Sequence, residues 1–169
     1  MASHSGAVRG GISQMDDAQV FATIYPALRR FAAAVTSLEV DPDDLVQEAV
    51  AKVLRRGPLG DLDDPLPYLR RAIVNLARSQ HRDTSRRERI LRSAPPPNGH
   101  VTDTYPSDFT DLSNLSVDQR AVLFLRFVEH RDTDDIAALL DLSPDAVRAR
   151  SSRAIRALRL ELDRTEPLS

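Results

Sequence analysis

Arg148, Arg150, Arg153, Arg156 and Arg159 fall within eighteen residues, Ser143 to Leu160, against a single acid, Asp145. A second run, Arg70 to Arg92, holds eight arginines against Asp83 and Glu88. The two runs carry +4 and +6, so the remainder of this 169-residue chain, whose net charge is -2, carries -12. Guanidinium is a planar fork of N–H donors. It pairs with phosphate oxygens and can bridge O6 and N7 of guanine with two hydrogen bonds. Two cationic stretches on an acidic body therefore point first to a polyanion, nucleic acid above all. The competing reading is that Arg-rich helix faces are simply solvated; it explains one run more readily than two.

Other chemistries are poorly served. There is no cysteine, which removes disulfides, thiolate nucleophiles and zinc–thiolate sites from this chain. His4, His81, His100 and His130 are scattered, and no Gly-rich phosphate loop is present. The acidic clusters sit where helices are expected to begin, which capping explains. The expectation is a non-enzyme with no catalytic centre, cofactor or metal. No run of eighteen apolar residues suggests membrane insertion, and Met1 to Met15 lacks the apolar stretch of a secretory leader. A cytoplasmic location fits these features.

The arginines need helices to present them. Apolar residues are 41% of the chain and aromatics 5%, with no Trp, so small aliphatic helical cores are expected. Residues 1–15 mix Gly, Ser and His and are expected to be disordered. Val20, Ile24, Leu28, Phe31 and Val35 form one helical stripe, with Pro26 predicting a break or kink near Tyr25. Asp41-Pro42-Asp43-Asp44 is a helix start. Leu45, Val46, Ala49, Val50, Val53 and Leu54 follow as a buried stripe, and Gly57-Pro58 ends it. Asp63-Asp64-Pro65 starts a third helix, with Leu66, Leu69, Ile73 and Leu76 on one face and arginines on the other. Residues 93–114, with Pro95, Pro96, Pro97 and Pro106, read as a partly extended linker. The predicted organisation is all-α: a helical domain over 16–92, the linker, a second helical domain over 115–162, and a tail, 163–169.

The second domain is read from its caps. Ser116 and Gln119 have capping-box spacing, Asp132 caps a short helix carrying Ile136, Ala137, Leu139 and Leu140, and Ser143-Pro144 opens the last one, with Val147, Ala154, Leu158 and Leu162 inward. Short helix, tight turn at Asp141-Leu142, longer basic helix: this is a helix-turn-helix pattern. The second helix of such a unit enters the major groove. Asp145, Arg148, Ala149, Ser152 and Arg153 are its early exposed residues, with Arg150 nearby. Arg156 and Arg159, further along, suit phosphates. A plain three-helix bundle with a basic last helix remains the alternative on this segment alone.

The segments DDIAALL (134–140) and SPDAVRARSSRA (143–154) resemble the promoter-recognition domain of the extracytoplasmic-function (ECF) sigma factors of bacterial RNA polymerase. DPDDLVQEAV (41–50) resembles that family's polymerase-binding helix, and YLRRAIVNLARSQHR (68–82) its helix for the minus-ten promoter element. The resemblance spans roughly Asp16 to Leu162 and has the short two-domain form. It implies an alternative sigma factor that binds core RNA polymerase and promoter DNA, with an anti-sigma factor as a further candidate partner. It implies polymerase contacts from Asp44, Gln47 and Glu48, with Leu45 and Val46 facing the core; a Glu48–Lys52 helix pair is the simpler account of Glu48. Asn75 falls at a position that reads the minus-ten element, or is a tolerated surface polar residue. Arg70, Arg71, Arg78 and Arg82 would neutralise the opened strand. Residues 57–64 correspond to the loop that forms a pocket for a flipped base. Arg148, Arg150, Ser152 and Arg153 align with contacts to the minus-thirty-five element.

Departures from the family pattern are Tyr68 for a Trp, Val50 and Leu54 for larger residues, Asp141 for the Gly of the recognition turn and Ser151 for an apolar residue. The first three are expected to shrink the core modestly, and Ser151 to need a backbone partner if inward. Two other functional classes fit parts of the pattern. A stand-alone helix-turn-helix regulator would be a symmetric dimer, which leaves DPDDLVQEAV unexplained. A sigma-like interaction protein would lack initiation activity.

Overall fold

The computed structural model describes residues 16–36, 40–92 and 114–165. Among these, every regular element is helical, as the sequence predicts: α1 (Asp17–Val35), α2 (Pro42–Leu54), a 3₁₀ turn (Leu59–Asp61), α3 (Pro65–Arg92), α4 (Val117–Leu123), a π turn (Phe124–Val128), α5 (Thr133–Leu140) and α6 (Pro144–Thr165). The expected disordered start, residues 1–15, lies outside the described residues, as do 93–113 of the expected linker and 166–169 of the tail. The chain divides into two units, Met1–Ile73 and Val74–Ser169, so α3 begins in one and continues into the other.

In the first unit, α1 packs on α2 and on the 3₁₀ turn. Val20, Leu28, Phe31, Ala32 and Val35 of α1 are buried with Leu45, Val46 and Ala49 of α2, Leu59 of the turn, and Leu69 and Ile73 of α3. Each large aliphatic or aromatic side chain removed from water contributes about 1.5–3 kcal/mol before the entropy of ordering is set against it. Pro26 does not break α1, which runs unbroken from Asp17 to Val35. Pro26 and Ala22 are both exposed, so the carbonyl that Pro26 leaves without its helical donor meets water. The α2 stripe is narrower than expected. Val50 and Val53 are half-buried and Leu54 is exposed, because an apolar arc this wide exceeds the surface its neighbours cover. Asp41 caps α2 by accepting from Asp43 N–H at 2.8 Å.

Tyr68 is 58% exposed, so its replacement of a larger ring takes nothing from the core. Arg70 overturns the expected division of α3 into an apolar and an arginine face. It lies on the same arc as Ile73, Val74 and Ala77 and is only 2% exposed. Its guanidinium sits over the Phe31 ring, 5.8 Å from the centroid. A planar, weakly hydrated cation can be accommodated there.

In the second unit, α6 packs on α4 and α5. Leu115, Val117, Ala121, Val122, Leu125, Ile136, Leu140, Val147 and Ala154 form its centre. Ser116 and Gln119 make the expected capping box, 3.2 Å to Gln119 N–H and 2.8 Å from Ser116 N–H. The π turn after α4 was not legible. It inserts one residue into the helical count, and Phe127 and Val128 at its end are exposed. His130 ends it with a φ of 54°. Leu162, expected inward, is 53% exposed, because α6 continues beyond the helices that cover its first half.

Candidate nucleic-acid interface

The turn that sets α6 is built from short polar residues. Asp132 caps α5 through Asp135 N–H at 2.8 Å. Asp141 adopts φ 57°, ψ 52°, and Leu142 N–H returns to the Ala137 carbonyl at 2.9 Å, closing the helix end. Asp is one of the few residues besides Gly that visit this conformation readily. Ser143 then caps α6 by accepting from Ala146 N–H at 3.1 Å, and Pro144 fills the first helical position.

This anchoring fixes which side of α6 is free. Val147, Ser151 and Ala154 face inward and are buried. Asp145, Arg148, Ala149, Ser152, Arg153, Arg156 and Arg159 are exposed, and their three- and four-residue spacing puts them in one longitudinal stripe. Arg148 Nη1 rests 3.2 Å from Asp145 Oδ1, and Arg153 Nε donates to the Ala149 carbonyl at 3.2 Å. Arg150 stands apart. It lies on the flank of the helix, half-buried, with Nε 3.7 Å from Asp118 Oδ2.

On α3, Arg71, Asn75, Arg78 and Arg82 share one stripe by the same spacing. Arg71, Asn75 and Arg82 are exposed; Arg78 is half-buried. Arg78 Nη1 donates to Asn75 Oδ1 at 3.1 Å, and Arg78 Nε donates to Asp118 Oδ1 at 2.7 Å. Arg86 and Arg89 extend the stripe in the exposed last third of the helix. Arg70, expected among the strand-neutralising arginines, does not belong to it, since its charge is spent inside the fold.

On α2, Asp44, Gln47 and Glu48 are exposed on one side, while Leu45 and Val46 are buried. Among the described residues no ion pair joins Glu48 to Lys52. Asp43, next to this face, has a different task. It accepts hydrogen bonds from Tyr25 Oη and, at 2.9 Å, from Arg29 Nε, tying α1 to the start of α2. The bond to Asp43, with some desolvation and the carboxylate's charge, raises the Tyr25 phenol above its usual pKa, and Arg29 offsets part of this.

Three polar residues escaped sequence reading: Asp17, Asp118 and Arg120. The two acids stand in the first turns of α1 and α4, where the helix dipole alone would account for them. Their partners are some forty positions away, at Leu59 and Arg78, beyond any local period. Arg120 is 7% exposed, and burial lowers its guanidinium pKa. Among the described residues no group of three or more His, Asp or Glu could hold a metal ion, and no helix is long and apolar enough to cross a membrane.

The family described as Sigma-70 region 2 matches residues 20–87, and that described as Sigma-70, region 4 matches residues 112–158. The RNA polymerase sigma-E factor of Streptomyces antibioticus is 30% identical over 156 residues, covering 86% of this chain and 83% of that protein. The chain belongs to the sigma-70 family of RNA polymerase sigma factors. Within it, the chain is of the ECF type. The sigma-E factor of Streptomyces avermitilis is similarly related, at 31% identity over 83% of this chain and 82% of its own length. The probable RNA polymerase sigma factor RfaY of Xanthomonas campestris is 32% identical over 78% of this chain, which spans 36% of RfaY. Among solved structures, the sigma factor RpoE in complex with the anti-sigma factor NepR, from Bartonella quintana, superposes with a TM-score of 0.62 at 25% identity, over 88% of this chain and 98% of that one. The sigma-70 family is not an enzyme family. The stripe on α6 lies within the region 4 match as far as Arg156, and the exposed face of α2 lies within the region 2 match. The α3 stripe lies within it as far as Arg86, and Asp17 lies before it.

Proposed function

We infer that this chain is an alternative sigma factor, which binds core RNA polymerase and directs promoter-specific transcription initiation. The observation that carries the reading is the pair of exposed basic stripes, on α3 and on α6, each on a helix of a different matched sigma-70 region. One such stripe is an ordinary solvated helix face. Two, with an exposed acidic helix face beside buried Leu45 and Val46, have the parts list of a polymerase subunit that touches two DNA elements.

In this reading the domains follow the expected bounds, 16–92 and 115–162. Asp44, Gln47 and Glu48 dock on core polymerase. Asn75 reads the minus-ten element while Arg71 and Arg82 neutralise the separated strand, joined by Arg78 once it leaves Asp118, and residues 57–64 hold a flipped base. The α6 stripe enters the major groove of the minus-thirty-five element, with Arg148, Ser152 and Arg153 at base edges and Arg156 and Arg159 at phosphates. Arg150, on the flank of α6, reaches the DNA backbone only after leaving Asp118. Each contact set alone is weak. Mounting both on one enzyme makes the second binding step intramolecular, which raises its effective concentration. The chain supplies no catalysis of its own and acts in the cytoplasm. An anti-sigma partner is supported by the similarity to RpoE, whose structure is a complex with NepR.

Gel filtration with purified core polymerase tests this reading. The protein is expected to co-elute with core, and Gln47→Ala with Glu48→Ala to weaken co-elution while leaving the melting temperature unchanged. Absence of co-elution in an inhibitor-free preparation would overturn it.

A further inference from the structure

The segment between α2 and α3, which the proposed function assigns to a flipped promoter base, is held to the first helix at two points. The first is apolar: the Leu59 side chain is completely buried, in a 3₁₀ turn that packs on α1. The second is polar. Asp17 Oδ1 accepts from Leu59 N–H at 2.8 Å and from Gly60 N–H at 3.2 Å, across more than forty residues of sequence. Asp17 occupies the first turn of α1, where an acid ordinarily serves its own helix. Here Asp16 is the N-cap, its side chain makes no cap bond, and the Asp17 carboxylate is aimed at the neighbouring loop instead. Around this clamp, Pro58, Asp61, Asp63 and Asp64 are exposed, so the loop faces solvent on one side and is pinned on the other.

A pocket that discriminates between bases must hold its walls within a few tenths of an ångström, and loops do so only when fixed by other elements. Leu59 fixes how deeply the loop sits. It does not fix the loop's rotation about that anchor. Two hydrogen bonds to one carboxylate oxygen from consecutive amides supply that second constraint. We propose that Asp17 is a positioning residue for base discrimination at the downstream promoter element, acting through the backbone of Leu59 and Gly60. It touches no DNA itself, and it lies before the segment matched to sigma-70 region 2. The proposal rests on the reading of residues 57–64 as the base pocket.

The test is start-site sequencing with reconstituted holoenzyme on a promoter library randomised separately at the downstream and upstream elements. It compares wild type, Asp17→Ala and Asp17→Asn, with melting temperatures measured alongside. Asp17→Ala is expected to lower discrimination at one downstream position by about tenfold, the scale of a lost charge-assisted hydrogen bond. Upstream preference should stay as in wild type. Asp17→Asn keeps an acceptor oxygen in place and is expected to recover most of the discrimination. If Asp17→Ala reads the downstream element as wild type does, the proposal fails. It fails equally if Asp17→Ala loses both elements together in step with its melting temperature, or if Asp17→Asn is no better than Asp17→Ala. Should wild type itself show no downstream preference, the pocket reading of the loop is wrong, and the proposal falls with it.

Discussion

Arg78 Nε donates to Asp118 Oδ1 at 2.7 Å although forty positions separate the two residues. The other oxygen of the same carboxylate is 3.7 Å from Arg150 Nε. The side chains are 30%, 22% and 27% exposed for Arg78, Asp118 and Arg150, so solvent screens both pairs and each contributes at most about 1 kcal/mol to stability. Their greater effect is on charge. One acid neutralises a member of the α3 stripe and partly neutralises the arginine flanking the α6 stripe. Asp118→Asn, which weakens both pairs at once, is therefore expected to cost at most about 2 kcal/mol of stability. It should also tighten non-specific binding to duplex DNA and steepen its salt dependence by about one released counterion. Fluorescence anisotropy from 50 to 200 mM salt measures this. An unchanged slope would mean that the two guanidiniums do not reach DNA.

The left-handed backbone at Asp141 makes a graded prediction. Asp141→Gly relieves the crowding of Cβ against the backbone but adds freedom to the unfolded chain, so its net effect is expected to be within about 1 kcal/mol of wild type. Asp141→Val combines β-branching with this conformation and should cost about 1–2 kcal/mol. Urea midpoints decide between them. Equal stability of the Val variant and wild type would contradict the turn geometry that aims α6.

Tyr25 gives a pH dependence. Its phenol pKa is raised above 10.0, chiefly by the hydrogen bond to Asp43. The folded protein thus holds this proton more tightly than the unfolded chain does. The contribution is complete below the unfolded value and is lost as pH rises through the raised folded value. Above about pH 10, wild type should lose stability more steeply than Tyr25→Phe. The other titrating groups cancel in the comparison. Parallel curves from pH 8 to 11 would show that the bond does not persist in solution.

The arginines of the α6 stripe divide into two expected behaviours. Arg148→Ala and Arg153→Ala should change preference at single positions of the upstream element by about 1–3 kcal/mol per lost guanine contact. Arg156→Ala and Arg159→Ala should weaken binding alike for all sequences and lower the salt slope. Competition binding with single-base variants separates the two. Uniform weakening from Arg148→Ala would remove it from base reading.

Much of this architecture was legible because helix starts are written locally. Asp41, Ser116 with Gln119, Asp132 and Ser143 all cap as their spacing predicts. The inward residues Leu69, Ile73, Val147 and Ala154 follow from period alone. What escaped was either tertiary or a matter of degree. Arg70 reads as a surface charge until Phe31 is found beneath it. The π turn at Phe124–Val128 has no local marker, and Phe127 and Val128 at its end are exposed. Leu54 and Leu162 carry the helical period past the point where neighbours cover them. Arg150 aligns with Arg148 and Arg153 through the family resemblance, and only its position on the flank of α6 beside Asp118 separates it from them.

The most direct test of the account is run-off transcription across a library of genomic fragments, with purified core polymerase in the presence and absence of this protein. The account predicts a new set of start sites that appears only with the protein. These sites should share two upstream sequence blocks, the farther of which changes its preferred bases in Arg148→Ala and Arg153→Ala. Identical start sites with and without the protein would contradict it.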